Sequence, residues 1–161
     1  TDQAYDTKMI LSKELEILKA LSFNIGKPIA LNFLRRNSKA GYVGVRHHTL
    51  AKYILEESLT NYPLASVKPS EKAAAALLIS LKILDPSLSL KDLWSPNLTF
   101  YSGYSLTDLM ATASALSKCL LQAPNSKYTA AYDKYNSSSK SHVSRLPELH
   151  EETLKSFTTE S

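Results

Sequence analysis

The chain has 161 residues, of which 21% are charged, with a formal net charge of +4, four glycines and one cysteine. That length suits one ordinary domain or one domain plus part of another, and few glycines beside long helical patterns argue against a sheet protein. A lone cysteine excludes an internal disulfide framework and fits a reducing intracellular compartment, while the mild positive charge permits an acidic partner without demanding nucleic acid.

Residues 1–6 form a polar lead-in that begins with Thr1 and has neither the basic start nor the apolar run of a secretory signal, so a fragment or a processed chain is expected. Residues 8–22 then carry Ile10, Leu11, Leu15, Ile17, Leu18 and Leu21 at helical spacing. Glu14 projects near the middle of that apolar face, three residues from Leu11 and Ile17 and four from Ile10 and Leu18. A carboxylate buried there without a partner is costly, so it should meet a cation or backbone donors, either within the chain or on another molecule.

Residues 23–27 break the pattern, with Gly26 suited to a left-handed cap, and Pro28 can open the next helix. That helix, to about Ala40, should bury Ile29, Ala30, Phe33 and Leu34 and present Arg35, Arg36 and Lys39 outward as a solvated basic end. Residues 41–48 read as a loop in which His47 and His48 are solvated. Thr49 is the expected N-cap of a helix carrying Leu50, Ala51, Tyr53, Ile54, Leu55, Leu59 and Tyr62, closed by Pro63.

The stretch from Pro69 to Leu84 follows. Residues 73–79 are apolar without interruption, so every face of that helix is oily and it must be surrounded by others. It is too short to cross a membrane, which takes about 18 or more apolar residues. Asp85-Pro86 ends it, because a residue before proline avoids the helical region.

Residues 89–94 and 96–102 read as short helices, with Ser95 capping the second. Ser105 and Asp108 resemble a capping box at the start of a helix running to about Gln122, with Leu106, Leu109, Met110, Ala113, Leu116, Leu120 and Leu121 as its buried stripe and Cys119 as buried packing. Tyr128, Tyr132 and Tyr135 share one helical face, five of residues 136–144 are serine, and an extended surface-bound tail is expected, with a last helix at 148–157. The sequence contains no glycine-rich phosphate loop, no cluster at metal-ligand spacing, and no recognisable base paired with Cys119 or a serine. These residues read as a helical interaction module.

From Phe33-Leu34-Arg35-Arg36 through Ser38-Lys39-Ala40-Gly41 the chain resembles a cyclin of the mitotic B type. The resemblance continues through His48-Thr49-Leu50-Ala51-Lys52-Tyr53, Leu81-Lys82-Ile83-Leu84-Asp85, and Trp94-Ser95-Pro96 with Leu98, Tyr101 and Tyr104. It returns at Lys134-Tyr135 and at Ser144, Leu146-Pro147 and Leu149, and it opens with Thr1-Asp2, Tyr5, Glu14, Ile17-Leu18, Leu21 and Phe23.

This resemblance implies an all-α, five-helix cyclin box around a buried central helix, preceded by the last helix of an incomplete first box. The implied division is residues 1–25 for the end of the N-terminal box, 26–123 for the C-terminal box, and 124–161 for a terminal helix and tail. It also implies a regulatory subunit that lacks catalysis of its own and activates a mitotic cyclin-dependent protein kinase at the G2/M transition, in nucleus and cytoplasm. Glu14 matches the glutamate that reaches the kinase, and Ile10, Ile17 and Leu18 are expected to pack internally. No cofactor, metal, direct nucleic-acid contact, membrane contact or obligate homo-oligomer is expected. Glu57 and Ser139 depart from the pattern, standing where an apolar residue and a lysine are usual. The competing readings are a cyclin-fold scaffold and a transcription-factor-IIB-like module that binds nucleic acid; the latter should carry a larger clustered basic surface.

Overall fold

The computed structural model describes residues 4–147, 149, 154, 155 and 157; among these are eight α-helices and no strand. The organising element is a helix over Pro69–Leu84, which becomes α4 in chain order. Pro69 sits in its first turn, Glu71 lies against the positive end of its dipole, and Asp85 caps its far end. Every residue from Ala73 to Leu81 is buried, as is Ile83, so the uninterrupted apolar run is surrounded as its composition requires. Ala73 to Ala76 let neighbouring backbones come close, and α4 packs against α2 (Ala30–Ala40), α3 (Val45–Glu57) and α7 (Leu106–Gln122). Truncating one of its buried leucines costs about 2–5 kcal/mol in a core of this kind. The Thr112 hydroxyl of α7 donates to Glu71, tying the start of α4 to its neighbour.

Local signals set the smaller elements. Ser89 caps α5 (Leu90–Leu93) by accepting from the Asp92 N–H, and Ser95 caps α6 (Pro96–Ser102) by accepting from the Leu98 N–H at 3.3 Å. At the head of α7, Ser105 and Asp108 form the reciprocal capping box read from their spacing. The Trp94 indole N–H donates to the Tyr104 carbonyl at 3.0 Å and fixes the α5–α6 corner on the core.

The C-terminal part folds onto α3 rather than lying extended. In α8 (Ala130–Tyr135), Tyr135 is fully buried, its ring centroid 5.5 Å from that of Tyr53. Its hydroxyl donates to Glu56 Oε1 at 2.6 Å, while Lys134 Nζ lies 2.7 Å from Glu56 Oε2. Short 3-10 turns at Ser138–Lys140 and Val143–Arg145 then bury Val143 beside α3, so the serine-rich composition did not report the apolar anchors interspersed with it. Tyr128 stays 61% exposed ahead of α8, off the face expected to unite it with Tyr132 and Tyr135. Apart from Leu149, Leu154, Lys155 and Phe157, the helix expected at 148–157 lies outside the described residues; Leu154 and Phe157 join the core.

Several boundaries differ from the sequence reading. The first helix, α1, spans Thr7–Ala20 and ends in a Schellman arrangement: Phe23 N–H bonds the Leu18 carbonyl and Ser22 N–H bonds the Lys19 carbonyl. Ser22 and Phe23, at φ 50° and 57°, take the left-handed role expected of Gly26, because the turn closes four residues before that glycine. Ile29 is extended and 58% exposed, so helical bonding starts at Ala30, not Pro28. Helix α3 begins at Val45 after an extended Gly44; Thr49 lies inside it and caps nothing. The histidines explain the earlier start, since His47 Nε2 reaches Asp85 at 3.0 Å and His48 Nδ1 reaches Ser38 Oγ at 2.8 Å, giving the first turns partners from α2 and from the end of α4. At the other end α3 stops at Glu57, and the following 3-10 turns leave Leu59 and Tyr62 78% and 90% exposed.

Candidate functional site

Glu14 sits on α1, which begins where Asp6 accepts a hydrogen bond from the Met9 N–H and which buries none of its residues. Around Glu14, the side chains of Tyr5, Met9, Ile10, Lys13, Ile17 and Leu18 border a shallow depression of about 560 Å³. Lys13 is engaged by Glu16 at 2.5 Å, one turn along the exposed side. Glu14 itself makes no hydrogen bond or ion pair with any described residue. The carboxylate in the middle of an apolar face therefore finds no counter-charge among the described residues. Ile10 and Ile17, expected to pack internally, are 58% and 52% exposed, and Leu18 is half-buried. Nothing in the described fold covers α1, so its apolar stripe is presented outward with one acid at its centre.

A second surface is electropositive. Arg35, Arg36 and Lys39 of α2 are exposed as expected, but they also border a cleft of about 1110 Å³ shared with His48, Asn97 and Tyr101. The Arg36 guanidinium lies 5.9 Å from the centroid of the Tyr101 ring, a cation–π distance. Burial, and then the charges of Lys52 and Arg35, hold the His48 imidazole below its ordinary pKa. The histidine read as solvated is thus a half-buried member of a basic cluster, and the charge there suits an anionic group. Its motif neighbours on α2 and α3 gave the only sequence signal, because α6, which closes the cleft, is about 60 residues further along.

Cys119 is buried and free, as its apolar neighbours predict, and burial pushes its thiol pKa up, the opposite of what a reactive thiolate needs. Among the described residues no three metal-ligating side chains converge, and no helix is long and apolar enough to cross a membrane.

Residues 28–149 match the family described as cyclin, C-terminal domain. Over all 161 residues the chain is 44% identical to a protein named G2/mitotic-specific cyclin-B from Spisula solidissima, covering 36% of that protein. It is 43% identical to the G2/mitotic-specific cyclin-B of Hydra viridissima across 98% of this chain and 39% of the relative. It is 39% identical to the G2/mitotic-specific cyclin-B2 of Gallus gallus across 96% of this chain and 38% of the relative. The chain thus spans about two fifths of the length of these curated relatives. With helices wrapped around the buried α4 across the matched segment, the chain belongs to the cyclin family.

Proposed function

We propose that this chain is part of a regulatory subunit that binds and activates a cyclin-dependent protein kinase of the mitotic type at G2/M. The observation that carries the reading is Glu14, without a partner among the described residues and displayed at the centre of an apolar helix face. Relatives bearing the name G2/mitotic-specific cyclin-B support it. Residues 1–25 are then the end of a first box, 26–123 the second box, and 124–161 a C-terminal helix and tail. Such a subunit acts without catalysis of its own, shifting the kinase toward its active conformation by binding that state more tightly. It works in nucleus and cytoplasm, in direct contact with neither nucleic acid nor membrane.

The test is the affinity of the 161-residue chain for a purified mitotic cyclin-dependent kinase, at two salt concentrations and beside Glu14→Lys. Reversing the charge should weaken binding by at least about tenfold, with the larger loss at low salt. The chain should also leave kinase activity well below that given by a two-box cyclin. An unchanged affinity in folded Glu14→Lys removes Glu14 from the contact, and salt-steepened binding to DNA would favour the nucleic-acid reading instead.

A further inference from the structure

The C-terminal ends of α3 and α7 and the turns that follow them enclose a small pocket far along the chain from Glu14. Its volume is about 150 Å³, and Glu57, Thr60, Asn61, Cys119, Ser126 and Tyr128 line it. Glu57 is 3% exposed, yet its Oε2 is sealed from solvent without a hydrogen-bond partner. A carboxylate oxygen so placed is costly unless a donor reaches it.

Several of the surrounding polar groups are engaged elsewhere, and no lining side chain, the Gln122 amide and the Tyr128 hydroxyl included, donates to Glu57 Oε2. Thr60 Oγ1 donates to the Glu57 carbonyl at 2.9 Å, Asn61 Oδ1 accepts from the Leu64 N–H at 3.4 Å, and Ser126 Oγ accepts from the Tyr128 N–H at 3.1 Å. Glu57 Oε2 is left without a donor, and a cationic donor answers its charge and its lone pairs together.

We propose that this pocket receives the guanidinium of one arginine side chain presented by a partner polypeptide, with Glu57 as its counter-charge. Arginine fits better than lysine, because its guanidinium is more weakly hydrated and offers several donors in a fixed plane. Leu59 and Tyr62, neighbours of the lining residues, are exposed, as is Tyr128, and they provide an apolar border for the aliphatic stem and the residues flanking it. The site is independent of the kinase contact proposed for α1, and either can fail without the other.

The test follows the Glu57 carboxyl carbon by NMR in the 161-residue chain while n-propylguanidinium is titrated in, with n-propylurea as the neutral isostere. A saturable shift is expected with the guanidinium, at least about tenfold tighter than with the urea, and lost in Glu57→Gln and Glu57→Leu. Those variants should remain folded, since each removes a buried charge. The capped peptide Leu-Gly-Arg-Gly-Leu should bind more tightly than n-propylguanidinium alone. The proposal is overturned if the cation gives no saturable shift, if urea and guanidinium bind alike, or if the preference survives in Glu57→Leu. It is also overturned if the peptide binds no better than the free cation, which would make the occupant a small amine. Movement of the Glu57 signal in Lys127→Ala without any probe would mean that the chain's own exposed lysine fills the pocket, and this too defeats it.

Discussion

Glu56 and Glu57 are adjacent on α3, and their surroundings drive them in opposite directions. Burial pushes the Glu56 pKa up, but hydrogen bonds from Lys134 and Tyr135 and the nearby lysine charges outweigh it and hold the carboxyl below its ordinary range. Glu57 has burial alone, which raises it. The consequences for stability have opposite signs. Glu56 contributes stability that is present above its ordinary pKa and lost as pH falls through its lowered one. Glu57, whose folded form binds a proton more tightly than the unfolded chain, is most favourable below its ordinary value of 4.5, and its contribution is lost as pH rises through the elevated folded value. Urea unfolding of the wild type beside Glu57→Gln should therefore show the variant gaining on the wild type as pH climbs from 4.5; a constant difference would show that Glu57 does not titrate with folding. The signal for Glu57 was legible: it lies three residues beyond Ile54 and seven beyond Leu50, on the stripe that α3 buries. The same projection placed Glu14 on an apolar stripe, yet that face is exposed, because periodicity says which residues share a face and not what covers it.

At the scale of elements, the packing of α2 against α6 turns on one missing methyl group. A Cβ built at Gly41 would stand 2.9 Å from Leu98 Cδ2 and 3.1 Å from Val43 Cγ2. Leu98 is 2% exposed and cannot swing aside cheaply, while the Gly41 backbone, at φ −88°, is open to any residue. Gly41→Ala should therefore destabilise by about 1–3 kcal/mol through overpacking, not through backbone strain. A double-mutant cycle with Leu98→Ala separates the two causes: the penalty should largely vanish there, whereas a backbone origin would leave it intact. This close approach could not be read from one sequence, since it joins residues 57 positions apart. The caps at Ser95 and Ser105 were legible because their chemistry closes within four residues. Thr49 misled for the converse reason, its helix having been started earlier by partners that His47 and His48 find on other elements.

Across the whole molecule, stability is concentrated at α4 and thins toward α1. The hub was legible because residues apolar on every face admit only a surrounded position, and helices α2, α3 and α7 supply that surround. Helix α1 has 14 residues, near the length at which an isolated helix is marginal in water, and none of them is buried by the rest of the described fold. Its Met9, Ile10, Leu11, Leu15, Ile17 and Leu21 are 46–58% exposed, a continuous apolar surface that another copy of the chain can cover. Native-state amide exchange should accordingly find α4 protected to the limit of global unfolding and α1 nearly unprotected in dilute solution. Raising protein concentration should increase protection in α1 while leaving α4 unchanged, because self-association gains free energy by mass action only where apolar surface is newly buried. Ile10→Lys with Ile17→Lys should remove that concentration dependence without altering exchange in α4. Protection of α1 equal to that of α4 at every concentration would mean that the helix is covered within the chain itself, and Glu14 would then have to find its counter-charge there.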